Sequence, residues 1–184
     1  MIRIAAAFSA FALAACAASP GAESTPTSER VCDPAAARAQ LGAISPESAR
    51  LEPFIYPLIE KVVRLPGYSD HWVEHVPRYT FVVAFTRPPS LAEIQRLAPP
   101  EIRDRIAVRT AKRSQEEIGR ARDLITERLR AARIGSWSSG YNPVSQCFEI
   151  GVESAARIEQ VRALLPADVL VDADFRVQGP LRTF

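Results

Sequence analysis

The sequence predicts an α+β domain, a two-layer sandwich in which helices cover one face of a mostly antiparallel sheet. The expected order is β-α-β-α-β-β-α-β after an N-terminal helical segment. Three observations predict it. Residues alternate with period two in several short runs, most clearly Tyr79, Phe81, Val83 and Phe85 against Thr80, Val82 and Ala84. Two Ser-x-x-Glu boxes, Ser90 to Glu93 and Ser114 to Glu117, each open a stretch with helical apolar spacing. Prolines and glycines fall between these stretches, where turns are needed.

Ser45-Pro46-Glu47 carries the cap, first-turn proline and first-turn acid of a helix start, with Leu51, Ile55, Leu58, Val62 and Leu65 following at helical spacing. Pro53 and Pro57 interrupt that run, so two short helical pieces are expected, ending at Leu65-Pro66-Gly67. The strand from Arg78 is apolar on both faces, as a central strand is, and Arg87-Pro88-Pro89 ends it. Ser90 caps a helix to about Leu97, closed by Pro99-Pro100. Arg105 to Thr110 alternates charged and apolar residues, the pattern of a half-exposed strand. Ser114 caps the longest helix, with Ile118, Ala121, Ile125, Leu129 and Ala132 on one face. Trp137, Ser139 and Tyr141, a turn at Asn142-Pro143 and the run Gln146 to Val152 read as a hairpin. Ala155, Ile158, Val161 and Leu165 make a helix stopped by Pro166, and Val169, Val171, Ala173 and Phe175 alternate in a last strand. No solenoid-type repeat is visible.

The chain opens MIRIAAAFSAFALAAC, with one charge at Arg3, an apolar run to Leu13 and small residues before Cys16. This is the pattern of a cleaved signal peptide over residues 1–15, too short for a spanning helix. Leu13-Ala14-Ala15-Cys16 resembles the lipobox of bacterial lipoproteins. The resemblance implies acylation of Cys16 as the membrane anchor, and Ala17 after it, in place of aspartate, implies sorting to the outer membrane, facing the periplasm. Residues 16–31 are Ser, Thr, Pro, Ala, Gly and Glu-rich, suited to a flexible tether, which leaves 32–184 as a single domain. Without residues 1–15 the chain holds 22 basic and 21 acidic side chains, a balance that gives no reason to expect nucleic acid as a partner.

Gly67, Trp72-Val73-Glu74-His75, Pro77 and the strand Tyr79 to Thr86 resemble the opening of a domain of bacterial secreted proteins, found in some cases beside trypsin-like protease domains. Ser138-Ser139-Gly140-Tyr141-Asn142 and Cys147-Phe148-Glu149-Ile150-Gly151-Val152 are similar to its end. More distantly, the stretch from about residue 67 to 175 resembles the C-terminal pro-region of alpha-lytic and streptogrisin-type proteases, a small α/β unit that assists folding of its protease and then inhibits it. With Phe184 as the last residue no protease domain is expected to follow, so the resemblance implies a fold and a protease as partner class, not a folding role in cis.

His71, Glu74 and His75, the only histidines with the acid between them, spell H-x-x-E-H, a zinc-peptidase pattern that requires a continuous helix and a third ligand from a later helix. Pro77 two residues on disfavours that helix, and Glu116 and Glu117 sit where first-turn acids are expected for dipole reasons. Local hydrogen bonds at a strand entrance, with Trp72 packed, are therefore expected, and His71 and His75 remain only candidate metal ligands. Asp172 and Asp174 are expected on one solvated strand face, and Ser138-Ser139-Gly140 lacks the elbow of an acyl-transfer serine. No phosphate loop, cofactor motif or catalytic constellation is found, so an enzyme is not expected. Cys32 and Cys147 are expected to pair, since two free thiols suit an oxidising compartment poorly. Alternation places Cys147 with Glu149, away from the core face of Phe148, Ile150 and Val152. Arg103 to Arg133 holds 10 basic and 5 acidic residues. The leading functional expectation is a membrane-tethered binding module for an envelope protein or protease. The alternative is an envelope structural or assembly lipoprotein whose basic face holds lipid or cell-wall polymer, and the least favoured is a zinc peptidase through H-x-x-E-H.

Overall fold

Asp33 opens the first helix, α1 (Pro34–Leu41), by accepting hydrogen bonds from the amides of Ala35 and Ala36 at 2.9 and 3.0 Å. The computed structural model describes residues 32–44 and 46–179. The expected signal peptide, the expected acylation site Cys16, the expected tether to Val31, the expected cap at Ser45 and residues 180–184 lie outside the described residues. Helix α1 was not expected, although the pair Asp33-Pro34 carries a cap and a first-turn proline.

Helix α2 (Pro46–Val62) is one helix, where two pieces were expected. Ala49, Pro53 and Pro57 all lie on its exposed face, so the carbonyls that lose their intrahelical donors turn toward water. The opposite face buries Leu51, Ile55, Leu58 and Val62, and that packing holds the helix through both prolines.

Six strands follow. β1 (Tyr68–Glu74) pairs antiparallel with β2 (Thr80–Phe85), and β2 pairs parallel with β3 (Ile106–Thr110) after α3 (Leu91–Leu97) and a 3₁₀ turn, Pro100–Arg105. After α4 (Gln115–Ala131), β4 (Trp137–Asn142) pairs antiparallel with β5 (Cys147–Val152), and β5 pairs parallel with β6 (Ala173–Val177) after α5 (Ala155–Leu164) and the short α6 (Ala167–Leu170). The fold is α+β, but its strands form two three-stranded mixed sheets, β1-β2-β3 and β4-β5-β6, in place of one mostly antiparallel sheet. A helical crossover returns the chain to the end where the previous strand began, so each third strand runs parallel to the second. The succession helix, hairpin, helix, strand thus occurs twice, and the helices that open the two units, α2 and α4, have 17 residues each. Both capping boxes form as expected, at Ser90 and Ser114.

Phe81, Val83 and Phe85 face α2 and α3 in one core, and Phe148, Ile150 and Val152 face α4 and α5 in another. A third cluster lies on the reverse face of the first sheet, where Trp72, Val82, Ala84 and Ala111 are covered by Leu41 of α1 and Val144 of the second hairpin loop. Strand β2 is therefore buried on both faces, as its sequence predicts. Cys147 is fully buried and bonded to Cys32. The expected disulfide forms, but the expected position outside the core does not hold. Alternation assigns Cys147 to the correct side of β5, and the chain at Cys32 then covers that side.

The last strand starts later than expected. The amides of Val169 and Leu170 both donate to the Pro166 carbonyl at 3.1 Å, which curls this segment into α6 and leaves Val171 exposed. Asp172 is consequently in a turn, not on a strand face with Asp174, and it is buried. Its carboxylate accepts from Lys112 Nζ at 2.7 Å and pairs with Arg113 Nη2 at 3.2 Å. The Gln146 side chain adds two bonds beside it, accepting from the Lys112 amide at 2.8 Å and donating to the Thr110 carbonyl at 3.1 Å. These contacts join the end of β3 to the second unit. Asp172→Ala is expected to destabilise the chain by about 2–3 kcal/mol, since a buried carboxylate with two charged donors is lost. Urea melts of Asp172→Ala beside Asp172→Asn check this, the amide keeping part of the loss back.

Candidate functional site

The reading of H-x-x-E-H is decided by β1. A residue-register shift between Tyr68 and Asp70 lets Tyr68 and His71 reach the same side of the strand, and alternation then sends His71, Val73 and His75 toward α2 while Trp72 and Glu74 point to the reverse face. At the strand rise, residues four apart are separated by roughly 13 Å, far beyond the reach of two imidazoles that must both stand about 2 Å from one zinc ion. Glu74 is engaged elsewhere: it accepts from Trp72 Nε1 at 3.2 Å and from Arg109 Nη2 at 2.9 Å, with the Arg109 guanidinium 5.8 Å above the Trp72 ring. The motif is thus split across a sheet, and its geometry is not that of the helical peptidase site. Among the described residues no group of three or more His, Cys, Asp and Glu side chains converges on a metal position.

What the two histidines do share is a cleft of about 330 Å³ between α2 and the β1-β2 hairpin. Its inner wall is apolar, with Ile55 and Ile59 from α2 and Val73 and Phe81 from the sheet. Its polar groups are Ser48, Glu52, His71, His75 and Tyr79, and Ile44 and Tyr56 stand at the mouth. An apolar recess with a few convergent polar groups is the usual build of a binding site.

Each imidazole is held. His71 Nδ1 lies 2.5 Å from the Tyr68 hydroxyl, with its ring against Phe81 at 5.6 Å. Burial raises the Tyr68 pKa and lowers that of His71, so a protonated phenol meets a neutral imidazole, and the tautomer of the ring sets which of the two donates. His75 Nδ1 is 3.1 Å from Ser48 Oγ, its ring lies edge-on to Tyr79 at 5.8 Å, and its amide donates to the Leu41 carbonyl at 2.8 Å. The Tyr79 hydroxyl is pushed up by burial and then by the charges of Glu52 and Glu47.

The His71 shift sets a pH dependence. Its folded pKa lies below the unfolded value of about 6.5, so the unfolded chain binds the proton first and stability is lost as pH falls through that value. Asp70 works the other way at lower pH: burial raises its carboxyl, so acidification below its folded pKa relieves a buried charge. Thermal melts between about pH 7.5 and 5.5 should therefore show Tm falling with pH in the parent chain and a flatter profile in His71→Gln. An identical slope in both sinks the assignment.

The other sequence candidates stand apart from the cleft. Glu117 completes the α4 capping box, with its pKa lowered by hydrogen bonds from Ser114, and Glu116 pairs with Arg120. Ser138 on β4 donates to Gln178 Oε1 at 2.7 Å. Asp174 pairs with Arg176. Of the basic residues between Arg103 and Arg133, Arg105, Arg109, Lys112, Arg113 and Arg120 are each paired with a carboxylate, which leaves a weaker positive face than the sequence count suggests. Sequence reasoning missed Ser48, Glu52, Tyr56 and Tyr79 as neighbours of the histidines. The signal that was available is the alternation of Asp70, Trp72 and Glu74 against His71, Val73 and His75, which is a strand pattern.

The fold and cleft define a small α+β domain of two helix-hairpin-helix-strand units, with an amphipathic recess in the first. Comparison with protein families and with curated proteins finds no match to this chain.

Proposed function

We propose that this chain is a non-enzymatic binding module, tethered to a bacterial envelope membrane through acylated Cys16, that presents the α2-β1 cleft to an envelope protein. A protease is the partner class favoured by the resemblance to protease pro-regions. The observation that carries the reading is the apolar exposure at the mouth of the cleft. Ile44 and Tyr56 at its mouth are 83% and 62% exposed, and Val76, whose side chain lies against Gly42 beside the same loop, is 50% exposed. Clustered exposed apolar side chains around a recess mark interaction surfaces more than solvent-facing ones. No helix of the described residues is long and apolar enough to cross a membrane.

A photo-crosslinking residue at Tyr56, in the full chain expressed in its native envelope, tests the reading. A discrete protein adduct is expected at Tyr56 and none at Glu127, which is exposed on α4. Equal labelling at both positions, or none at either, overturns the proposal. In Cys16→Ser the palmitate label and the membrane fraction are both expected to be lost, and the Tyr56 adduct with them.

A further inference from the structure

We infer that the cleft recognises a basic residue beside a large apolar residue on the partner's chain, the apolar side chain entering the recess and the basic one meeting Glu52 at its mouth. The inference rests on the binding-module reading and names the chemistry of what is bound.

Size and lining settle the apolar half. At about 30 Å³ for each water, a volume of 330 Å³ holds on the order of ten waters, the scale of one large side chain and part of its neighbours. Ile55, Ile59, Val73 and Phe81 offer such a side chain no polar partner, so its burial there releases water from apolar surface on both sides.

Charge settles the other half. Glu52 lines the cleft, and no arginine or lysine does. Arg50, two residues from Glu52 on α2, and Arg105 both hold Glu47 at 3.1 Å. Glu52 itself makes no ion pair among the described residues, and His71, kept neutral by burial, adds no positive charge to offset it. Glu52 and the Tyr79 ring line the same cleft, and after burial the charges of Glu52 and Glu47 also push the Tyr79 hydroxyl up. An acidic partner group would meet like charge there, and a guanidinium or ammonium would meet both the carboxylate and the exposed ring of Tyr56.

The test uses the full mature chain in lipid nanodiscs and three fluorescently labelled peptides, Leu-Arg-Phe, Leu-Gln-Phe and Leu-Glu-Phe, with blocked ends. Anisotropy titrations should give the order Arg, Gln, Glu, with the outer two about fivefold to tenfold apart, the scale of one exposed pair made against one like pair imposed. Glu52→Lys, a change at an exposed position, should reverse the order, and Tyr56→Ala should weaken all three. Equal binding of the three peptides, or an order unchanged in Glu52→Lys, overturns the inference. If a partner still crosslinks at Tyr56 while the peptides show no charge preference, the recognition chemistry is wrong and the binding-module reading stands. If no adduct forms at Tyr56 and no peptide binds, both fall.

Discussion

Trp72→Ala unfolds at markedly lower urea than the parent chain, with a loss of about 3–5 kcal/mol, while His71→Ala next to it loses about 1 kcal/mol. The two residues are neighbours on β1 but face opposite layers. Trp72 is 8% exposed and packs on its cross-strand partner Val82, on Ala84 and on Ala111, beneath Leu41 of α1. Truncation removes the largest side chain of that cluster and leaves a hole that a rigid sheet and a short helix close poorly. The variant also gives up the Nε1 hydrogen bond to Glu74 and the stacking of Arg109, smaller terms than the lost packing, while the Glu74–Arg109 pair needs no Trp72 atom. His71→Ala gives up one hydrogen bond, with the Tyr68 hydroxyl, and the ring contact with Phe81, at a position that lines an open cleft. Denaturant melts of both variants, with Trp72→Phe as the volume-sparing control, decide the matter. A Trp72→Ala midpoint equal to that of His71→Ala means the third cluster contributes little.

Opening the Cys32–Cys147 disulfide, by reduction or by Cys147→Ser, is expected to cost about 2–5 kcal/mol. The bond joins residues 115 apart, so the unfolded chain gains a large loop's worth of freedom when it is cut. The native state changes as well. Helix α1 has eight residues, too few to persist alone, and it is held by Cys32 at one end and by the His75 amide on the Leu41 carbonyl at the other. With the first tie gone, amide exchange in α1 should quicken before that of α2, and Leu41 should no longer shield Trp72. The disulfide and Trp72→Ala act on one cluster, so their combined loss is expected to be smaller than the two separate losses added. Full additivity, or an α1 that stays protected after reduction, argues against this clamp.

Much of the fold was legible because it depends on near neighbours in sequence. The Ser90 and Ser114 boxes, the hairpin around Asn142, whose side chain accepts from the amides of Val144 and Ser145, and the two-faced burial of β2 all formed where the residues placed them. The misses came from contacts across the fold. Pro53 and Pro57 argue locally for a break, and α2 continues because its other face has a sheet to pack on. Tyr68 to Glu74 alternates like a strand, yet H-x-x-E-H drew attention to its helical use, and the strand is secured only by pairing with β2.

By itself, the sequence determined the α+β class, the helix starts at Ser90 and Ser114, the second hairpin and the pairing of Cys32 with Cys147, because capping, alternation and a count of cysteines need no knowledge of the partner surface. Only the tertiary structure decided that the strands divide into two mixed sheets, that Cys147 is buried and that Asp172 clasps Lys112 and Arg113. It also decided that Glu52 and Tyr56 of α2 share a cleft with His71 and His75 of the hairpin. Each of these depends on which surface covers a residue, and side-chain burial against a distant segment outweighs the weak local preferences that a sequence displays.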